Sequence, residues 1–361
     1  MCMAQNLLMK SEILQPATEL WAAYKPENAP FAFRAKSRAA ARAWQTRTRS
    51  ALGKAIGFQN TPACDLAARK IERIDKGDFV REKFIIRTAP HSSMPVYLLL
   101  PKNVPGPLPV VLALHGHGYG VKDIVGLWED GSERDDPSGY HKDFAVELCR
   151  RGFAVAAPEI SCFGERQSQF PHLLEQIPHD LPPSTCVHTS MLASHLGGTA
   201  LGIRVRDARR LVDYLTTRPD INTRKLGVMG ISGGGMHALF SSCIDTRIKA
   251  CVISGYFAEW RHSIHGMYHC ACNYVPGLGQ FGEIHDLAGL MAPRPVLIEA
   301  ATRDSIFPIR SVKRAVARTR QVYDVFGARS AVKTDIFEAR HEISGAKAYG
   351  FLADCLSKRP T

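Results

Sequence analysis

The sequence has no apolar run near the ~20 residues of a membrane-spanning helix. Its first residues, MCMAQNLLMKSEILQP, lack the basic start and apolar core of a signal peptide, so a cytoplasmic location is expected. Cys-x-x-Cys pairs are missing as well. The ten cysteines are scattered, some in apolar segments around Cys149, Cys243 and Cys251, which suits a reducing compartment. Cys162 and Cys186 are expected as free thiols. Acidic residues are absent between Arg34 and Lys54, a segment that also holds Lys36, Arg38, Arg42, Arg47 and Arg49 and contributes to the net charge of +12. No helix-turn-helix spacing, zinc-finger pattern or aromatic-interleaved strand accompanies these cations. They read as a solvated helix face, and no nucleic-acid partner is expected.

What is present is a globular composition: 361 residues, 45% hydrophobic and 22% charged, enough for one large domain and a modest extension. Residues 1–75 read as a helical extension with Ala-rich stretches such as AKSRAAARAW. It would pack on the main domain, cover a binding site or join two subunits as a homodimer. From Phe79 the period changes. FVREKFIIRT and MPVYLLLP read as an antiparallel edge hairpin. PVVLALHG, FAVAAPE, KLGVMG, KACVISGY, PRPVLIEAA and KTDIFEA then follow as strands with helical patterns between them, most of them apolar enough to be buried on both faces. That alternation predicts an α/β domain over 76–361, with about eight strands and a parallel centre. Ligands in such sheets sit beyond the carboxyl ends of the strands. Loops near 119–140, 160–198 and 256–285 are expected to form the pocket.

The organising stretch is LGVMGISGGGMHALF, residues 226–240. A strand turns through Gly230-Ile231-Ser232-Gly233-Gly234 into a helix, the context that makes Gly-x-Ser-x-Gly a nucleophile elbow. A serine hydroxyl needs a base to take its proton as it attacks. Asp304 follows the strand VLIEAA, and His341 follows TDIFEAR. The order Ser232, Asp304, His341 suits a nucleophile, an orienting acid and a general base. Taken singly, Asp304 could cap a helix and His341 could be a surface histidine. Glu259 and Asp286 are rival acids. An oxyanion hole is expected from the backbone N–H of Gly233 and of His117 in His115-Gly116-His117-Gly118, with Gly118 the second choice.

With HGHG, FGER (Phe163 to Arg166), DYL-x-x-RPDI, GISGGG, CNYVPGL, APRPVLIE and D-x-IFP together, residues 75–355 resemble the α/β-hydrolase superfamily. More narrowly they are similar to dienelactone hydrolase-like and acetyl xylan esterase-like esterases. The resemblance implies an α/β-hydrolase fold, a Ser-Asp-His triad and hydrolysis of a small carboxylic ester without metal or cofactor. Serine replaces the cysteine nucleophile of the dienelactone hydrolases proper, which favours a carboxylesterase or deacetylase. The alternatives are amide, peptide or carbon–carbon bond hydrolysis by the same triad, or an inactive binding protein on this fold.

Two groups in the 256–285 segment complete the reading. Tyr256, Trp260 and Tyr274 are candidate substrate-binding residues. His262, His265, His269, Cys270, Cys272 and His285 include zinc-type donors, but their spacing matches no zinc framework. They read as pocket lining, with no metal expected.

Overall fold

The computed structural model describes residues 15–57, 61–62, 64–169 and 184–357. Nine strands form one sheet in the order β1-β2-β3-β5-β4-β6-β7-β8-β9. They are β1 (Arg69–Asp75), β2 (Phe79–Ala89), β3 (Ser92–Pro101), β4 (Leu108–Leu114), β5 (Ala154–Pro158), β6 (Ile221–Ile231), β7 (Ala250–Ser254), β8 (Val296–Ala301) and β9 (Val332–Phe337). The first three run antiparallel, and β3 meets β5 antiparallel. From β5 to β9 every pairing is parallel. Strands β5, β7 and β8 are buried along their whole length, which explains why their sequences are continuous apolar runs.

Helices cover both faces of the sheet. On one face lie α2 (Arg38–Ala55), α4 (Cys186–His195), α5 (Ala200–Leu215), α6 (Gly233–Ile244), α7 (Ile284–Gly289) and α8 (Ile309–Asp324); α3 (Phe144–Arg150) and α9 (Ala348–Ser357) lie on the other, and α1 (Pro16–Ala23) buries none of its residues. None of the described helices is long and apolar enough to cross a membrane.

Two expectations are corrected. The sheet has nine strands rather than eight, and the extra one, β1, falls inside the segment read as helical. β1 is RKIERID, charged and largely exposed at the sheet edge, so it lacks the apolar alternation that marks a half-buried strand. The β2–β3 hairpin forms as expected, but β1 takes the edge position.

The N-terminal segment is also built into the core. Ser37 Oγ accepts the Ala40 N–H at the start of α2, and Ala41, Trp44, Leu52 and Ile56 join the main core. Buried Gln45 donates to the carbonyls of Gly289 and Ala292, and Arg49 donates to those of Cys243 and Leu290. Those carbonyls end α6 and α7, where a helix dipole favours a cation. Lys36, Arg38, Arg42, Arg47 and Lys54 are exposed, as a solvated face requires.

Candidate active site

Strand β6 ends at Ile231, and α6 begins at Gly233, which leaves Ser232 as the entire turn. Its backbone is forced to φ 56°, ψ −122°, a region L-residues avoid at a cost of about 1–3 kcal/mol. Glycine is required beside it for space. A Cβ at Gly230 would lie 2.2 Å from the Gly234 carbonyl oxygen, and one at Gly234 would lie 1.9 Å from that of Leu114. The elbow read from the sequence is therefore present, with Ser232 at the head of a helix.

Asp304 and His341 come from the ends of the neighbouring strands β8 and β9. His341 Nδ1 is 2.6 Å from Asp304 Oδ2. The other oxygen, Oδ1, accepts the N–H groups of Ile306 and Phe307. Asp304 does not cap α8, whose N-cap is Pro308 with no side-chain bond; its Oδ1 holds the turn before that helix and its Oδ2 meets His341. The turn thus fixes the oxygen that aims at the imidazole. His341 Nε2 is buried without a hydrogen-bond partner among the described residues, and His341 and Ser232 line one cavity. An imidazole held at Nδ1 and open at Nε2 can take a proton from a hydroxyl in that cavity. The rival acids are engaged elsewhere. Glu259 pairs with Arg314, and Asp286 completes a capping box with Glu283.

The loop after β4 lies against the elbow. Gly116 donates its N–H to His141 Nε2 at 2.8 Å, and a Cβ at Gly116 would lie 2.2 Å from the Tyr140 hydroxyl and 3.1 Å from Ser232 Cβ. Tyr140 Oη donates to the His117 carbonyl at 2.6 Å. Burial pushes the Tyr140 phenol well above its usual pKa, which keeps it a neutral donor. The first histidine of the loop, His115, is buried, and its Nε2 accepts the Ile160 N–H. It therefore supports the loop and stays out of the cavity.

The cavity measures about 310 Å³. Its walls include His117, Gly233, Tyr140, Tyr256, Tyr268 and Phe307. Of the three aromatic residues singled out from the sequence, only Tyr256 reaches it. Trp260 is core, its backbone N–H donating to Glu283 Oε2, and Tyr274 turns away to donate to the Ile264 carbonyl. Tyr140, Tyr268 and Phe307 supply the remaining aromatic lining. Tyr140 of loop 119–140 and Tyr256, Tyr268, His269, Cys270 and Asn273 of loop 256–285 line this cavity, whereas residues 170–183 of the third loop lie outside the described residues.

Sequence reasoning also missed Glu299. This acid lies in the middle of β8, buried, and accepts from Ser254 Oγ and from the N–H groups of Ser344 and Gly345. It anchors the turn just beyond His341, and burial raises its pKa. A lone acid inside VLIEAA was the available signal.

The histidine- and cysteine-rich segment divides. His262 pairs with Glu259, His265 packs on the Tyr24 and Trp260 rings, His269 lies 3.2 Å from Ser263 Oγ, and His285 lies beside Asp286. Cys270 and Cys272 instead meet His117 and Cys186. None of the nine described cysteines forms a disulfide.

The sequence profile of the Abhydrolase family matches residues 20–332. The protein YtaP of Bacillus subtilis (strain 168) is 27% identical over 266 residues, covering 70% of this chain and 80% of YtaP. Among solved structures, a Bacteroides fragilis NCTC 9343 protein described as a candidate acetyl xylan esterase superimposes with a TM-score of 0.71 at 19% identity, covering 90% of this chain and 82% of that one. A glucuronoyl esterase from Solibacter usitatus superimposes with a TM-score of 0.61 at 17% identity, covering 90% and 98%.

Proposed function

The chain belongs to the Abhydrolase family, and from that premise we propose that it is a serine esterase cleaving small carboxylic esters through an acyl-enzyme. The observation that carries this reading is the His341 imidazole, bonded to Asp304 on one side and open at Nε2 over the cavity that Ser232 lines. Ser232 Oγ attacks the ester carbonyl carbon while its proton passes to His341 Nε2. The carbonyl π electrons move onto oxygen, giving an oxyanion held by the N–H groups of Gly233 and His117. Asp304 stabilises the imidazolium. Collapse of the intermediate expels the alcohol, protonated by His341. Water, deprotonated by the same nitrogen, then attacks the acyl-enzyme and releases the acid and Ser232.

The orientation of the loop supports His117 over Gly118 as the second donor. Tyr140 takes the His117 carbonyl on the elbow side, and in a planar trans peptide the Gly118 N–H then points the opposite way. A volume of about 310 Å³ with aromatic walls suits a short acyl group. The acetyl xylan and glucuronoyl esterases on the same fold direct the search toward esters of carbohydrates. A panel of p-nitrophenyl esters from acetate to decanoate tests the reading. Highest kcat/KM for acetate to butyrate is expected; faster turnover of a matched amide, or preference for decanoate, would contradict it.

A further inference from the structure

We propose that His117, Cys186, Cys270 and Cys272 form a closed tetrahedral site for a zinc-class divalent ion beside the active-site serine. Their four donor atoms all lie within 4.8 Å of one another. The Cys270 and Cys272 sulfurs are 3.4 Å apart, and Cys272 Sγ is 3.9 Å from His117 Nε2. A tetrahedral zinc with bonds of ~2.3 Å to sulfur and ~2.0 Å to nitrogen sets its donors roughly 3.5–3.8 Å apart, whereas a disulfide needs ~2.05 Å. These two spacings lie near those values, and the remaining donors, within 4.8 Å, need to close by at most ~1 Å to gather around one ion; three cysteines with one histidine is a donor set that zinc accepts.

A second observation concerns charge. Arg204 of α5 is almost completely buried, and its guanidinium contacts Ser161 and the Cys186 sulfur at 3.4 Å. Asp207, one turn along, pairs with Arg166 and Arg206 instead. A buried cation needs a buried counter-charge. A divalent ion with three thiolates carries one net negative charge, which matches the guanidinium. The three thiols lose their protons to solvent as the metal binds.

Four protein donors leave no coordination position for water or substrate, so the ion acts as a staple. It ties the loop after β4, the start of α4 and the β7–α7 connection into one wall. His117 also bears on the elbow, because a Cβ at Gly233 would lie 3.1 Å from His117 Nδ1. Metal bound at the other ring nitrogen would fix the loop that presents the His117 N–H.

The test is metal content, read without any substrate. Protein purified under reducing conditions without chelator is expected to carry about one zinc per chain by mass spectrometry of the digested sample. Cobalt(II) substitution should give the visible bands of a tetrahedral thiolate site. Cys186→Ser, Cys270→Ser and Cys272→Ser should each become substoichiometric, while Cys64→Ser keeps its metal. Chelation of the wild type should lower Tm. Reduced, folded wild type that takes up neither zinc nor cobalt would overturn the proposal, as would a folded triple variant that retains the metal. The esterase reading is assayed separately, so either can fail alone.

Discussion

Two histidine–aspartate pairs lie near the elbow. In one, His341 Nδ1 meets Asp304 at 2.6 Å, and Nε2 is left without a partner in the cavity. In the other, His141 Nδ1 lies 2.9 Å from Asp123 Oδ2, off the line of a good hydrogen bond, and Nε2 accepts the Gly116 N–H. The His141 side chain is fully buried and burial pushes its pKa down, so it stays neutral; the His341 side chain is 21% exposed. The same two side chains therefore serve different ends. What separates them is the second ring nitrogen: one has no partner and belongs to a side chain lining the cavity with Ser232, the other holds a loop. A histidine–acid pair alone is no evidence of catalysis.

The largest effect is expected at the proposed nucleophile. Ser232→Ala should reduce kcat/KM for p-nitrophenyl acetate by about 10⁴-fold or more while circular dichroism is unchanged. Next, the two aspartates should separate cleanly. Asp304→Asn should lower kcat by about 10⁴-fold with little change in the urea midpoint, because the wrong imidazole tautomer is favoured. Asp123→Asn should do the reverse. Asp123 also faces Arg134 in a buried cluster with Asp143, so the loss should approach about 3 kcal/mol in urea unfolding, with kcat of the folded fraction falling only about tenfold. Equal kinetic losses in the two variants would erase the distinction.

Backbone strain offers a smaller test. Ser232→Gly should abolish turnover yet raise stability by about 1 kcal/mol, since glycine tolerates positive φ. Ser232→Ala should give no such gain.

The smallest effect concerns Glu283, which sits away from the cavity under Tyr24. Burial raises its pKa from 4.5 to about 7. The folded state then binds more protons than the unfolded chain between those values, so this carboxyl makes stability fall as pH rises from about 4.5 to 7. Glu283→Gln should flatten the decline of Tm over that interval; an unchanged slope would remove Glu283 as its source.

The legible parts of this site are those whose signals are local. Gly230 to Gly234 encode a turn that excludes side chains, and Asp304 and His341 each follow an apolar strand at its carboxyl end. The parallel strands were legible because burial on both faces leaves continuous apolar runs. β1 was not, because an exposed, charged edge strand has no such pattern. Facing was equally hidden. Tyr256 and Trp260 stand four residues apart, yet one lines the cavity and the other fills the core. His141, Tyr140 and Glu299 act through contacts made only by folding. So does the meeting of His117, Cys186, Cys270 and Cys272, whose three segments are separated along the chain by β5, β6 and β7.

In the proposed mechanism His341 makes Ser232 nucleophilic. Labelling the folded protein with a fluorophosphonate, followed by peptide mass mapping, tests it most directly. One label per chain is expected, on Ser232, with slow or absent labelling in His341→Ala. A folded wild type that takes no label, or takes it on another residue, would contradict it.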